Sequence, residues 1–213
     1  MIVERFNKIK SNIDNQKPAN PVKIIAISKT FPISHIKPLI DYGHDHFGEN
    51  KVQEARSKWL NLKKNKPNLN LHMVGKLQTN KVKFAVKLFD YIHAVDSEKL
   101  AKKIANEQNK INKKIKIFLQ VNIGNENQKS GINKEDLNQL VSCCKEIDLD
   151  LIGLMCIPPV NADPRPYFEE MNKLNRSLGF TELSMGMSSD FLLATKYLST
   201  YVRIGSRIFG ERS

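Results

Sequence analysis

Val22-Lys23-Ile24-Ile25-Ala26-Ile27-Ser28-Lys29-Thr30-Phe31-Pro32 is the stretch on which the fold turns. Its first seven residues are short, β-branched and nearly all apolar, the signature of a strand buried on both faces. Its last five form a turn with no glycine. Runs of the same kind recur at Asp45–Gly48, Leu71–Gly75, Tyr91–Val95, Ile115–Asn122, Leu151–Ile157, Glu182–Met185 and Tyr201–Gly205. Amphipathic helical patterns separate them, near Ile33–Tyr42, Lys51–Leu62, Asn80–Leu88, Ser97–Lys110, Lys134–Ile147, Arg165–Leu178 and Ser189–Leu198. One further helix, about Ile2–Asn15, precedes the first strand. Ser34 and Asn133 offer acceptor side chains near helix starts, and Gly179 lies just past a helix end. Strands alternating with helices describe a parallel sheet covered on both faces, and eight strands close a barrel. A doubly wound open sheet is the alternative, but it usually carries a glycine-rich first turn. Ser28–Pro32 has none, so the expected fold is a single (β/α)8 TIM-type barrel with an extra N-terminal helix, one domain over residues 1–213.

Composition agrees. At 213 residues the chain suits one barrel, and 40% apolar with 26% charged residues excludes a chain disordered throughout. Its longest uncharged stretch, Leu151–Ala162, falls short of the ~20 apolar residues a membrane span needs. Glu4 and Arg5 interrupt the N-terminus, so no signal-peptide core is read there. The three cysteines include the adjacent Cys143 and Cys144 and make no C-x-x-C pattern, which fits a reducing, cytoplasmic setting. Thirty-four Lys plus Arg against 22 Asp plus Glu give a net charge of +12. The lysines are scattered over every helical pattern and lack an aromatic-and-basic stripe. The expectation is a solvated basic surface that attracts small anions, with no nucleic-acid partner.

Barrels of this kind carry their chemistry at the C-terminal ends of the strands. Those positions here are Lys29, Glu49-Asn50, Gly75-Lys76, Asp96, Asn122, Pro158, Met187-Ser188 and Gly205-Ser206. Lys29 ends an apolar strand, where partial desolvation favours the neutral amine that attacks aldehydes; its ordinary reading is a lysine reaching to the rim. Leu183–Asp190 and Val202–Gly210 each run from a strand into a helix start through small and hydroxyl residues. Loops after the seventh and eighth strands commonly cup a phosphate with backbone N–H groups and a helix dipole, although either turn alone also reads as plain cap chemistry. Arg203, two residues before Gly205, points the same way from the strand and should lie just inside the mouth. A reactive lysine, a phosphate cup and an inward arginine together suit pyridoxal 5'-phosphate, with the lysine holding C4′ as a Schiff base and the arginine at the ring nitrogen.

These segments make the chain recognisable. Ala26-Ile27-Ser28-Lys29-Thr30-Phe31-Pro32, Phe47-Gly48-Glu49-Asn50-Lys51-Val52-Gln53-Glu54, His72-Met73-Val74-Gly75-Lys76-Leu77-Gln78-Thr79-Asn80-Lys81, Gln128-Lys129-Ser130-Gly131 and the last two segments follow in order. Together they resemble the pyridoxal phosphate homeostasis protein family, whose barrel is similar to the N-terminal domain of alanine racemases. The resemblance covers about Val22 to Arg212. It implies that Lys29 is the Schiff-base lysine, that Ser188, Gly205 and Ser206 hold the phosphate, that Arg203 faces the pyridine nitrogen and that Asn50 lies beside the cofactor. Lys129 matches a second lysine of the family pattern. Leu71 stands where an aromatic residue is common, and Leu198 where a glycine often ends the helix before the last strand.

An arginine opposite the ring nitrogen disfavours a protonated ring and makes the cofactor a poorer electron sink. Racemases of the similar fold take a second base from an extra β domain and a partner subunit, whereas only Arg212 and Ser213 follow the last motif here. The expectation is therefore a monomeric binder with no catalytic residues, which holds pyridoxal phosphate and releases it to the free pool or to apo-enzymes that depend on it. A small racemase-like enzyme is the alternative. No metal is expected: His44 and His46 form an H-x-H pair, but at the N-terminal end of their strand and without further ligands. His72 and His93 read as satisfied strand residues, Cys156 as packing, and Lys63-Lys64-Asn65-Lys66 as solvated loop.

Overall fold

A computed structural model describes residues 1–126 and 130–211. The strands are β1 (Lys23–Ile27), β2 (His46–Glu49), β3 (Asn70–Met73), β4 (Tyr91–Val95), β5 (Lys116–Val121), β6 (Asp150–Cys156), β7 (Glu182–Met187) and β8 (Tyr201–Ile204). They pair in parallel in chain order, and β8 closes on β1 with Lys23 opposite Tyr201 and Ile25 opposite Arg203. The expected barrel is the observed one.

The period-two pattern divides two cores. Ile24, Ala26, Val202 and Ile204 face outward into the layer between sheet and helices, together with Phe47 and Trp59. Ile25, Ile27 and Tyr201 face inward with Tyr91, Phe118 and Met155. Strand residues of both sets are buried, which is why these runs read as continuously apolar.

Helices α2 (Ile33–Asp41), α3 (Val52–Asn65), α4 (Val82–Leu88), α5 (Glu98–Asn109), α6 (Leu137–Glu146), α7 (Arg165–Ser177) and α8 (Phe191–Lys196) follow the first seven strands. After β8 the described residues hold only α9 (Ser206–Phe209), a single turn at the helix start read in Val202–Gly210. The N-terminal helix α1 (Ile2–Asp14) packs against α2, α8 and α9 and buries Phe6, Ile9 and Ile13. Tyr42 Oη donates to Asn7 Oδ1 at 2.8 Å and Thr195 Oγ1 to Gln16 Oε1 at 2.7 Å. The extra helix thus completes the outer ring where an eighth crossover helix would lie. No helix among the described residues is long and apolar enough to cross a membrane.

Local departures have local causes. The fourth and sixth helical patterns open with 3-10 turns, Thr79–Lys81 and Lys134–Asp136. α8 starts two residues later than expected because Ser188-Ser189-Asp190 forms a turn, closed by Met187 N–H donating to Asp190 Oδ1 at 2.6 Å. Ser34 is not a cap, since Pro32 occupies that position, and Asn133 makes no side-chain cap bond. Ser97 does cap α5, accepting from Leu100 N–H at 3.4 Å. Gly179 has a left-handed backbone, φ +76°, and Leu198 adopts φ +65°. A branched side chain there carries a cost that glycine avoids.

The inner core is polar for a barrel. His72 and His93 are fully buried, and His44 packs nearby against Phe6 and Phe47. Desolvation lowers all three pKa values: well below the ordinary 6.5 for His72 and His93, to about 4 for His44. An imidazole held neutral in the fold takes up its proton only on unfolding. The unfolded chain therefore binds more protons once the pH passes below about 6.5, and stability is lost from there downward until the folded-state value is passed. Urea unfolding between about pH 7 and pH 5 should show the free energy falling with a slope that approaches about 4 kcal/mol per pH unit. A flat profile would show that these imidazoles already carry protons in the fold.

Candidate functional site

Register places the expected residues around one arc of the C-terminal rim. Ile27 pairs with Gly48, so Lys29 and Asn50, each two residues further on, leave the barrel side by side. Gly205 stands on the other side of β1: a Cβ built on it would meet Ile27 O at 3.3 Å. Ser206 Oγ lies 3.3 Å from Ser188 Oγ, which joins the turn after β8 to the turn after β7. The order along the rim is Ser188, Ser206, Lys29, Asn50, and beyond it Gly75, whose missing side chain lets Asn50 sit close; a Cβ there would fall 2.5 Å from Asn50 O.

Lys29 is half-buried in a turn held from both sides. Before it, Ser28 Oγ donates to Glu49 Oε1 at 2.7 Å and Ser28 O accepts from Lys58 Nζ at 2.8 Å. After it, Thr30 N–H donates to Glu54 Oε1 at 2.5 Å. Lys58 Nζ ties the two acceptors together, at 2.8 Å from Glu49 Oε1 and 3.0 Å from Glu54 Oε1, and Trp59 Nε1 donates to the same Glu49 oxygen at 2.9 Å. Thr30 itself has φ +71°, an unusual state for a β-branched residue, and the bond to Glu54 holds it there. A second clasp joins this loop to α9: Phe31 stacks on His35 at 4.9 Å and lies 5.5 Å from Phe209, whose carbonyl is hydrogen-bonded to His35 Nε2 at 2.9 Å. From the sequence, Glu49 is read at its strand end and Glu54 in a family landmark, neither with a role, and Lys58 and His35 are not singled out. Their outward-facing positions and helix spacing gave no hint that they converge on one loop.

At the turn after β7 the backbone is shaped by Gly186, at φ +90° in a bulged part of the strand, where a Cβ would strike Ala194 Cβ at 2.6 Å. α8 and α9 have six and four residues, too short for a sizeable macrodipole. The dipole foreseen from the sequence is therefore minor. What the two turns offer an anion is hydroxyls and first-turn N–H groups without intrahelical acceptors.

Arg203 is buried in the barrel interior, as expected, but it brings its own partners. Its Nη1 donates to Ser184 O at 2.8 Å and to Ser184 Oγ at 2.7 Å, and its Nη2 donates to Cys156 O at 2.8 Å. Burial lowers the guanidinium pKa, with Asp190 acting the other way. None of the three acceptors is a carboxylate. Cys156 itself is packed in the outer core with its thiol pushed up to about 12, so it contributes only its carbonyl.

Asn50 Oδ1 is buried without a hydrogen-bond partner, an acceptor left open at the rim. It borders a 390 Å³ cavity with Lys51, Gly75, Lys76, Gln78 and Lys81, and Gly75 and Lys76 also border a 340 Å³ cavity lined by Gln120, Asn122, Ser130 and Ile157. A 550 Å³ groove lies by the turns after β7 and β8, between Pro158, Pro159, Met187, Ser189, Asp190 and Arg207. Lys29 lines none of the three. Lys129 and Gln128 lie outside the described residues. No cluster of three or more metal-ligating side chains occurs among the described residues, and His44 and His46 are instead linked by His44 Nε2 to His46 O at 2.8 Å.

Comparison with known proteins agrees with the fold and gives the family. Residues 5–213 match the family described as alanine racemase, N-terminal domain. The chain is 37% identical over 203 residues to the pyridoxal phosphate homeostasis protein of Aquifex aeolicus, covering 91% of this chain and 88% of that one. It is 34% identical over 201 residues to the protein of the same name from Escherichia coli K12, covering 90% and 86%. Among solved structures, PipY of Synechococcus elongatus superposes with a TM-score of 0.86 without PLP and 0.83 with PLP bound, at 34% and 33% identity, over 99% of this chain and the whole of that one. Alanine racemase of Clostridium difficile shares the fold, with a TM-score of 0.72 at 17% identity, and this chain spans 55% of its length.

The clamp under Lys29 yields a test. Glu49 is fully buried and its Oε2 lacks a partner, so Lys58 is its counter-ion. Lys58→Met should lower the unfolding free energy by about 3 kcal/mol, because a buried charge is left uncompensated. Adding Glu49→Gln to it should recover a good part of that loss in the same denaturant titration. A double variant as unstable as the single one would mean that the ion pair is not the cause.

Proposed function

The chain belongs to the pyridoxal phosphate homeostasis protein family, within the alanine racemase N-terminal domain fold, and on that premise we propose that it binds pyridoxal phosphate at the C-terminal mouth of its barrel and holds it without transforming it. Lys29 forms the covalent link. Ser188, Gly205 and Ser206 take the phosphate, Arg203 faces the pyridine nitrogen, and Asn50 lies beside the ring. When bound, the cofactor supplies an aldehyde that condenses reversibly with an amine.

The observation that carries this reading is the position of the Lys29 turn between Ser206 and Asn50 on one rim. The residues fit the group. Two hydroxyls 3.3 Å apart, next to a glycine that leaves the backbone bare, offer donors to a phosphate. Asn50 Oδ1 is an acceptor with nothing yet to accept from. PipY, a third identical to this chain over nearly all its length, has been solved with PLP bound.

Holding rather than transforming follows from the arginine. Arg203 is pinned by backbone carbonyls of β6 and β7 and by a serine, so it presents a fixed cation that keeps the pyridine nitrogen unprotonated. A carboxylate in its place would do the opposite. The outer ring is complete with α1 in the eighth place, which supports a monomer. Three free, buried thiols suit a cytoplasmic protein that delivers its cofactor to apo-enzymes.

Borohydride reduction after incubation with pyridoxal phosphate, followed by peptide mass mapping, should place the adduct on Lys29 and lose it in Lys29→Ala. Adducts spread over many lysines, unchanged in that variant, would overturn the site. Ser188→Ala and Ser206→Ala should each weaken pyridoxal phosphate retention about tenfold, as the loss of one hydrogen bond to a charged group implies. Neither should affect pyridoxal, which lacks the phosphate. Equal losses for both ligands would remove these serines from the phosphate cup.

A further inference from the structure

A hydrogen-bonded chain crosses the barrel interior from the N-terminal mouth to Arg203. His46 Nδ1 lies 2.8 Å from His72 Nε2, His72 Nδ1 lies 2.9 Å from His93 Nε2, and His93 Nδ1 lies 3.0 Å from Ser184 Oγ. Ser184 Oγ then accepts from Arg203 Nη1 at 2.7 Å. His72, His93 and Ser184 are fully buried, and only the His46 end reaches solvent, with its side chain 14% exposed.

Donor counting gives the chain a direction. A guanidinium can only donate, and a neutral imidazole carries one donor and one acceptor. Ser184 Oγ accepts from Arg203, so its hydrogen is available to His93 Nδ1. His93 then holds its proton on Nε2 and donates to His72 Nδ1, and His72 likewise donates from Nε2 to His46 Nδ1. His46 Nε2–H is left pointing to the mouth, 3.9 Å from Asp45 Oδ1. The opposite direction would leave the Ser184 hydrogen without an acceptor in the chain, so the Arg203 bond favours this set of tautomers in three imidazoles.

Protonation at the far end reverses this order. A cationic His46 carries a hydrogen on Nδ1 and must donate to His72 Nε2. His72 and His93 then hold their protons on Nδ1, and His93 donates to Ser184 Oγ. That oxygen now accepts from both His93 and Arg203, while its own hydrogen has lost its acceptor in the chain. The inverted chain holds one proton more than the neutral one, carried by His46.

We propose that His93 and His72 are positioning residues for Arg203, and that His46 is their switch: protonating it at the N-terminal mouth inverts the chain and loosens the Arg203–Ser184 bond at the cofactor end. This rests on the reading that Arg203 faces the pyridine nitrogen. The groups facing His46 are Lys23 of β1, His72 of β3, Tyr91 of β4, Lys116 of β5 and Tyr201 of β8, with Asp45, Asp90 and His44 from the adjoining loops. Burial and the two lysines lower the His46 pKa, against the two aspartates. The switch therefore operates on the acid side of the ordinary histidine value.

The first test uses 15N spectra of the histidine rings in the cofactor-free protein, titrated from about pH 8 to about pH 5.5. His72 and His93 should start as Nε2–H tautomers and pass to Nδ1–H with the same midpoint as His46 protonation. In His46→Asn, whose amide oxygen can accept in place of Nδ1 but does not titrate, both should stay Nε2–H. Rings that keep one tautomer while His46 titrates, or that start as Nδ1–H, would overturn the proposal. The second test is the pyridoxal phosphate dissociation constant of both proteins at the same two pH values. The wild-type-to-variant ratio should rise about fivefold on acidification, the scale of a modest coupling between sites. A constant ratio would show that the chain does not act on the cofactor site. Failure of borohydride labelling at Lys29 would instead remove the site reading and leave the tautomer result standing.

Discussion

The closure of β8 on β1 is the constraint from which the site follows. Pairing Ile25 with Arg203 and Ala26 with Ile204 brings two segments nearly 180 residues apart into one ladder. It sets Gly205 against Ile27, puts Ser206 next to the Lys29 turn, and sends the Arg203 side chain into the interior. A shift of one residue in that register would exchange inward and outward side chains along both strands. Arg203 would then enter the apolar layer beneath the helices, where Ile204 now packs.

Two buried charges add rigidity at different depths. Glu49 lies between the sheet and α3, and holds the Lys29 turn through Ser28, Lys58 and Trp59. Arg203 lies in the lumen and binds β6 and β7 through Ser184 and Cys156. Such charges stabilise little in themselves, since desolvation offsets much of the attraction. What they supply is geometry. Both are directional, and both sit within one layer of the residues assigned to the cofactor. The left-handed backbone of Thr30 persists because its N–H has a fixed acceptor in Glu54.

Most of the fold was legible in the sequence because burial on both faces leaves little doubt about a strand. Tyr91–Val95 was read to the residue, and the other strands to within one or two. Lys29, Asn50, Ser188, Gly205 and Ser206 were legible for a related reason: in a parallel barrel every strand end faces the same way, so the rim can be listed in order along the chain. The role of α1 was not legible. An amphipathic N-terminal helix shows that it packs somewhere, but its place beside α8 depends on how short α9 is. Ser34 and Asn133 misled because a hydroxyl or amide near a helix start caps only if the backbone entry angle allows it.

The sequence by itself determined the barrel, the rim residues and the family, since these depend on the order of short motifs and on a local two-residue period. Only the tertiary structure decided which side chains meet across the lumen. His46, His72 and His93 lie on three adjacent strands, and Ser184 and Arg203 on two others, and nothing in their spacing along the chain announces that they touch. The strand tilt and the closure of the sheet converge them. Once water is excluded from that space, each buried polar atom has to find a partner among the others.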